Sequence, residues 1–256
     1  SGQFGHNNTL TYSSPVQIPG TTWNNITSAI GHTLATKTDG TLWSWGYNQN
    51  GALGQNSANP SRKSSPTQIG TDTDWATGLR ERMVSKDGRV QASIKTDGTL
   101  WIWGRNYYVQ LGLNQSDWSV MYSSPVQLPG TYSKTRYGSR LSTGGALSMW
   151  GNNTFGECGQ NTSPTSPMGA YSSPVQIPGT WTDFMRTNAM EYQACSGIKS
   201  DGSLWAWGKN TSSVGGGSLG LNDAIDRSSP TQIPGTWDIS KLTSSYHPYT
   251  IGAFKP

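Results

Sequence analysis

Charge is scarce in this sequence: Asp, Glu, Lys and Arg make up 12% of its 256 residues, about half the usual share of roughly 25%. The 18 basic and 14 acidic residues leave a net charge of +4. Spread along the whole chain, that is too thin for the concentrated basic stripe of a nucleic-acid-binding surface. No apolar run approaches the roughly 18 residues of a membrane-spanning helix. Two cysteines, Cys158 and Cys195, are too few for a disulfide scaffold, and they lack the Cys-x-x-Cys spacing of a metal or redox site. They fall in consecutive repeats and read either as a pair or as two small buried residues. Ala, Glu, Lys and Leu are too sparse for a coiled coil or helical bundle. Gly does not recur at every third residue, which excludes a collagen-like chain. The start, Ser1-Gly2-Gln3-Phe4, has neither an initiator Met nor a signal-peptide pattern, so a processed or partial chain is expected.

Glycine and tryptophan are plentiful, at 32 and 12 residues. A chain this aromatic and this weakly charged is not disordered. What remains is a globular all-β protein with a surface of Ser, Thr, Asn and Gly.

The sequence is built of repeats. Ser-Ser-Pro-x-Gln recurs five times, in units that begin near residues 13, 64, 123, 172 and 228. Each copy continues with Ile or Leu, and most then read Pro-Gly-Thr. Trp23, Trp75, Trp181 and Trp237 follow, with Tyr132 in the third unit. A second phrase, Lys37-Thr38-Asp39-Gly40-Thr41-Leu42-Trp43-Ser44-Trp45-Gly46, returns at Lys95 to Gly104 and Lys199 to Gly208. The third unit keeps only Gly145-Ala146-Leu147-Ser148-Met149-Trp150-Gly151. A third phrase, Gly51-Ala52-Leu53-Gly54-Gln55-Asn56, has relatives at Gly2, Val109, Gly156 and Gly217. Asp-Gly between apolar runs marks a hairpin, because Gly accepts positive φ without steric cost. Pro-Gly before the tryptophan reads as a turn. Alternation puts Trp43 and Trp45 on one side of their strand, Leu42 and Ser44 on the other. A unit of about 50 residues cannot bury both faces alone, so neighbouring units must stack with tryptophan between them. Radial stacking into a β-propeller leaves only short, protected edges. Trp45, Trp103, Trp150 and Trp207 are expected at equivalent buried positions.

The combined pattern S-P-x-Q-I-P, then W, then K-T-D-G-T-L-W-x-W-G-x-N, then G-x-L-G-x-N resembles the regulator-of-chromosome-condensation repeat. The resemblance covers essentially the whole chain, and its wording is closest to the bacterial and bacteriophage branch. It implies a β-propeller, usually of seven four-stranded blades. Residues 1–256 are therefore read as a single repeat domain with four complete or near-complete blades and an incomplete one, a window of a larger propeller. The incomplete unit predicts an open edge near Tyr249 to Lys255.

No catalytic constellation stands out, and no cofactor or metal site is expected. Gly216-Gly217-Ser218-Leu219-Gly220 matches a nucleophile elbow in letters, and Gly215, Gly217 and Gly220 match G-x-G-x-x-G. Both motifs need a strand before and a helix after, whereas this segment is a copy of the Gly-x-Leu-Gly phrase. His6, His32 and His247 sit in different phrases, and no carboxylate or cysteine recurs at a ligand spacing.

Departures from the repeat are the candidate partner-binding positions. The second unit inserts a basic run with Arg80, Arg82 and Arg89, and the third carries Lys134, Arg136 and Arg140. Tyr107 and Tyr108 replace small polar residues, and Trp118 is the one tryptophan outside the pattern. Exposed aromatics on loops mark protein interfaces and sugar platforms. The leading expectation is a non-enzymatic structural or adhesive module, on a virion or a microbial surface, that binds other virion or surface proteins or a host glycan. It would be part of a larger assembly. The alternatives are a partner-regulating propeller, since the family includes an exchange factor for a small GTPase and β-lactamase inhibitors, and a glycan-binding lectin.

Overall fold

The Asp-Gly hairpin is fixed by its own side chains. Asp39 Oδ1 accepts the backbone N–H of Thr41 at 3.0 Å and the Thr41 hydroxyl at 2.6 Å. The Thr41 hydroxyl oxygen accepts Trp43 Nε1–H at 2.7 Å. Gly40 closes the turn at φ +78°, where a Cβ would collide with the backbone of Thr73. The same relay links Asp97, Thr99 and Trp101, and again Asp201, Ser203 and Trp205. The third unit lacks the aspartate, and there Ser142 Oγ accepts the Ala146 N–H at 2.9 Å. The lysine that opens the phrase lies over two tryptophans: Lys37 Nζ is 4.9 Å from the Trp23 ring and 4.2 Å from Trp43. Lys95 and Lys199 repeat this contact with Trp75 and Trp101, and with Trp181 and Trp205.

The computed structural model describes residues 2–28, 31–57, 62–77, 82–84, 90–162, 169–186, 193–211, 216–235, 237, 243–244 and 251–252, with 82–84, 243–244 and 251–252 described by backbone alone. The chain forms two compact units, Ser1–Tyr107 with Asp117–Tyr137, and Tyr108–Ser116 with Gly138–Pro256.

In the first unit, β1 (Trp23–Ser28), β2 (His32–Lys37), β3 (Leu42–Tyr47) and β4 (Arg62–Gln68) pair antiparallel in chain order. β5 (Arg82–Val84), β6 (Val90–Ile94), β7 (Thr99–Arg105) and β8 (Met121–Arg136) do the same. In the second unit, β9 (Ser139–Ser142), β10 (Leu147–Asn152) and β11 (Ala170–Ile177) pair in order. So do β12 (Trp181–Arg186), β13 (Ala194–Lys199), β14 (Leu204–Gly208) and β15 (Arg227–Ile233). A short pair, β16 (Thr243–Ser244) and β17 (Ile251–Gly252), follows. The expected open edge near Tyr249 to Lys255 lies outside the described residues except for Ile251 and Gly252.

Each Ser-Ser-Pro strand lies beside a Trp-x-Trp-Gly strand, and each of these pairs slips register at the second tryptophan position. Such a bulge re-aims a side chain. Trp45, Trp103, Trp150 and Trp207 are accordingly buried at 0–1% exposure. Burying an indole removes about 150–250 Å² from water, worth several kcal/mol. Trp43 and Trp45 both meet Trp23, at ring separations of 6.0 and 5.6 Å, as alternation requires. The opposite face is buried as well: Leu42 and Ser44 are inaccessible, and Ser44 Oγ donates to Leu53 O at 2.7 Å.

Consecutive repeats are joined through the Gly-x-Leu-Gly loop. Trp45 Nε1 donates to Gln3 O at 2.9 Å, Trp103 to Ala52 O at 3.0 Å, Trp150 to Gln110 O at 2.6 Å, and Trp207 to Glu157 O at 2.9 Å. The closing Asn adds a latch. The N–H groups of Asn7, Asn56, Asn114 and Asn161 donate to the carbonyls of Ser64, Ser123, Ser172 and Ser228. All four asparagines hold left-handed backbone, φ 53–57°.

One local expectation is corrected. Pro129-Gly130 does not turn the chain, because β8 runs straight through it. Thr131 pairs with Thr99 while Leu128 pairs with Leu100, so Pro129 and Gly130 are taken up as a bulge. Cys158 and Cys195 are free thiols, both fully buried. Of the two readings left open, the small buried residue holds.

Candidate functional site

The loop after β7 carries the aromatic departures from the repeat. Its ends are fixed by Asn106, 1% exposed. The Asn106 N–H donates to Val120 O at 2.9 Å, and its Nδ2 donates to Asp117 O at 3.3 Å. The asparagine of Trp-Gly-x-Asn does related work elsewhere: Asn48, Asn153 and Asn210 donate through Nδ2 to Ser57 O, Thr162 O and Asp223 O. Asp117 then shapes the tip, its Oδ1 accepting the Ser119 N–H at 2.8 Å and hydroxyl at 2.7 Å. These bonds, the hydroxyl first, hold the Asp117 carboxyl below the ordinary carboxylate range.

On this frame Trp118 is 40% exposed and Tyr107 36%, their rings edge to face at 6.5 Å. The Arg105 guanidinium lies 5.0 Å from the Tyr107 ring, within the range of a cation–π contact. Met121, 42% exposed, starts β8 three residues after Trp118. Arg105 and Tyr107, and Trp118 and Met121, thus stand on two stretches of the first unit that meet where Arg105 pairs with Met121. Arg105 and Met121 escaped the sequence reading because each occupies a strand end. Their signal was proximity, two residues before Tyr107 and three after Trp118.

The other candidates part from this group. Tyr108 is half-buried, belongs to the second unit, and its N–H donates to the Gln110 side chain. The next residue, Val109, stands where other repeats have Gly and takes φ 60°. Arg80 and Arg89 lie outside the described residues, and Arg82 stands on β5 with its side chain undescribed. Arg140 is half-buried, its guanidinium 5.7 Å from the Trp150 ring. Lys134 and Arg136 are half-buried on β8.

An aromatic pair, a cation held against it and a thioether form a surface suited to contact. They include no group positioned to transfer a proton or attack a bond.

Comparison with known proteins agrees with the repeat reading. The Regulator of chromosome condensation (RCC1) repeat matches residues 39–84 and 97–137. Over 115 residues the chain is 32% identical to the Ultraviolet-B receptor UVR8 of Arabidopsis thaliana, covering 44% of this chain and 25% of that protein. The crystal structure of human WBSCR16 superposes with a TM-score of 0.64 at 19% identity, over 91% of this chain and 61% of that one. Prp20p of Saccharomyces cerevisiae, described with its binding to Gsp1p and histones, gives a TM-score of 0.64 at 17% identity, over 87% and 53%. The chain thus spans a quarter of the curated relative and little more than half of these solved structures. At such identities the structures speak for the fold, an all-β propeller architecture. The chain thus carries Regulator of chromosome condensation (RCC1) repeats at residues 39–84 and 97–137.

Proposed function

We propose that the chain is a protein-interaction propeller that regulates a partner, and that it meets that partner through Arg105, Tyr107, Trp118 and Met121. The observation that carries this reading is the pair Tyr107 and Trp118, kept exposed on a loop whose ends Asn106 clamps. A loop closed by buried hydrogen bonds loses little entropy when a partner arrives, so its aromatics bind at low ordering cost. Two relatives favour the regulatory sense: UVR8 is a receptor by name, and Prp20p is described by its binding to Gsp1p and histones. Neither they nor WBSCR16 speak for a structural or adhesive role. The regulatory alternative therefore takes precedence over the virion or surface module expected from the sequence. A location on a virion or cell surface is a separate proposal, checked by detecting the chain in purified virions and surface fractions of its source.

The test is proximity crosslinking in the native source with the unaltered chain and with a Tyr107→Ser, Trp118→Ser double variant. A protein captured by the first and lost by the second, at equal melting temperature, is the expected result. Identical capture by both would remove the patch from the interface.

A further inference from the structure

Positive charge gathers at the strand ends beside the aromatic pair. Tyr47 closes β3 and faces Arg62, which opens β4, across the ladder. The Arg62 guanidinium lies 5.6 Å from the Tyr47 ring. One repeat on, Arg105 closes β7 opposite Met121 and lies against Tyr107. A cation–π contact orders a guanidinium without neutralising it. Arg62 and Lys63 are exposed and Arg105 is half-buried, and none of them forms an ion pair with a described residue. The sequence around them offers little acid. Residues 47–63 hold none, and residues 105–124 hold only Asp117, whose Oδ1 is engaged by Ser119.

The fourth repeat carries the same position with its charge answered. Lys63 pairs with Gly46 as Arg227 pairs with Gly208. Arg227 is held by the Asp223 carboxylate four residues earlier, and its neighbour Asp226 accepts the N–H groups of Asn210 and Thr211. At the matching positions the first repeat has Asn59 and Arg62. It therefore presents uncompensated cations where the fourth repeat is balanced within itself. The first two repeats also share this surface. Gly51, in the loop after Tyr47, lies against Tyr122 and Ser123 of β8, and a Cβ there would come within 2.8 Å of Ser123 Cα. Lys63 and Ser124 line one cleft, whose carboxylate, Asp72, is paired with Lys95 at 2.7 Å.

We propose, resting on the interaction reading above, that the partner docks an acidic segment here. Its carboxylates meet Arg62, Lys63 and Arg105, and an apolar side chain beside them covers Tyr107 and Trp118. Hydrogen bonds between guanidinium and carboxylate are about twice as strong as neutral ones. Complementary charge also selects the partner and speeds its arrival. A duplex nucleic acid is disfavoured, because a chain with a net charge of +4 has little to set against a row of phosphates. The assignment adds Arg62 and Lys63 of the first repeat to the interface and fixes the sign of the surface that meets it.

The experiment titrates the whole chain into short fluorescein-labelled peptides that are Glu- and Asp-rich, neutral or Lys-rich, each with one Leu and one Phe, and reads anisotropy. A labelled DNA duplex and heparin run alongside. Saturable binding of the acidic peptides alone is the expected result, weakened about tenfold or more by the Arg62→Glu, Lys63→Glu pair and by added salt. The milder Arg62→Gln, Lys63→Gln pair should fall between, and Trp118→Ser should also weaken binding, all at retained circular dichroism. No binding, equal binding of neutral peptides, indifference to both charge variants, or tighter binding of DNA or heparin would overturn the proposal. Crosslinking in the native source separates it from the reading it rests on. A partner lost with Tyr107→Ser, Trp118→Ser but kept with Arg62→Glu, Lys63→Glu would overturn the acidic segment and leave the aromatic interface standing. A partner kept by both would remove both.

Discussion

Trp207 Nε1 donates at 2.9 Å to the carbonyl of Glu157, fifty residues earlier in the chain. The contact ties the core indole of one repeat to the loop of the repeat before it, and Trp45, Trp103 and Trp150 make the same bond.

Replacing Trp207 with Phe should keep most of the packing and leave the Glu157 carbonyl with only the weak Cys195 thiol donor at 3.5 Å, at a cost of about 1–3 kcal/mol. Trp207→Ala or Trp45→Ala should cost about 3–5 kcal/mol. Thermal and chemical unfolding of the three variants measures both steps. An unchanged midpoint for Trp45→Ala would mean that the repeats are misaligned.

Glu157 should make stability depend on pH. Burial raises its carboxyl above the ordinary range, and the nearby Arg186 guanidinium offsets this only in part. The folded chain therefore keeps a proton that the unfolded chain releases near pH about 4.3. The associated stability is complete below that value and is lost as pH rises through the folded-state pKa. Glu157→Gln should flatten this slope in urea titrations across the window and leave the protein at least as stable at neutral pH. Gln3 and Gln110 occupy the same place in other repeats, so the substitution fits the loop. A slope identical to that of the unaltered chain would assign the pH dependence to other groups.

Much of this was legible in the sequence and some was not, for physical reasons. Hairpins, strand pairs and the four core tryptophans follow from the Asp-Gly and Trp-x-Trp-Gly spacing, because turn chemistry and period-two alternation are local. The lysine of Lys-Thr-Asp-Gly gave no such signal, since its role is to lie across two indoles that only the folded sheet brings together. Pro129-Gly130 misled as a turn because the strand opposite decides whether two extra residues bend the chain or bulge out of the ladder. At the candidate site, Tyr107 and Trp118 stood out as departures from the repeat. Their meeting at 6.5 Å depends on Asn106 closing the loop.

The thiols should be silent in the native protein. Burial pushes the Cys158 thiol up to about 12 and moves Cys195 in the same direction. The thiolate is the reactive form, so neither cysteine should react with an aromatic disulfide reagent at neutral pH. Both should react once denaturant is added. Rapid labelling of the folded chain would contradict their burial.

The latch asparagines should tolerate Gly better than Ala. Asn161 holds φ 57°, and its N–H donates to Ser228 O at 2.8 Å. Ala in left-handed backbone costs about 1–2 kcal/mol, which Gly avoids. Both variants lose the bond from Ser229 Oγ to Asn161 Oδ1; Asn161→Ala should therefore melt below Asn161→Gly, and the reverse order would mean that the left-handed backbone does not limit the latch.

Among the described residues, the acceptor in the four tryptophan bonds between repeats is a main-chain oxygen, supplied by Gln3, Ala52, Gln110 and Glu157. A fastening made by backbone does not itself depend on which side chain is attached, although burial at Ala52, Gln110 and Glu157 still limits what fits. Mutation can therefore rewrite that position from methyl to amide to carboxylate while the join between repeats stays the same. The array can diversify there one repeat at a time, and Glu157 is the copy that has become ionisable.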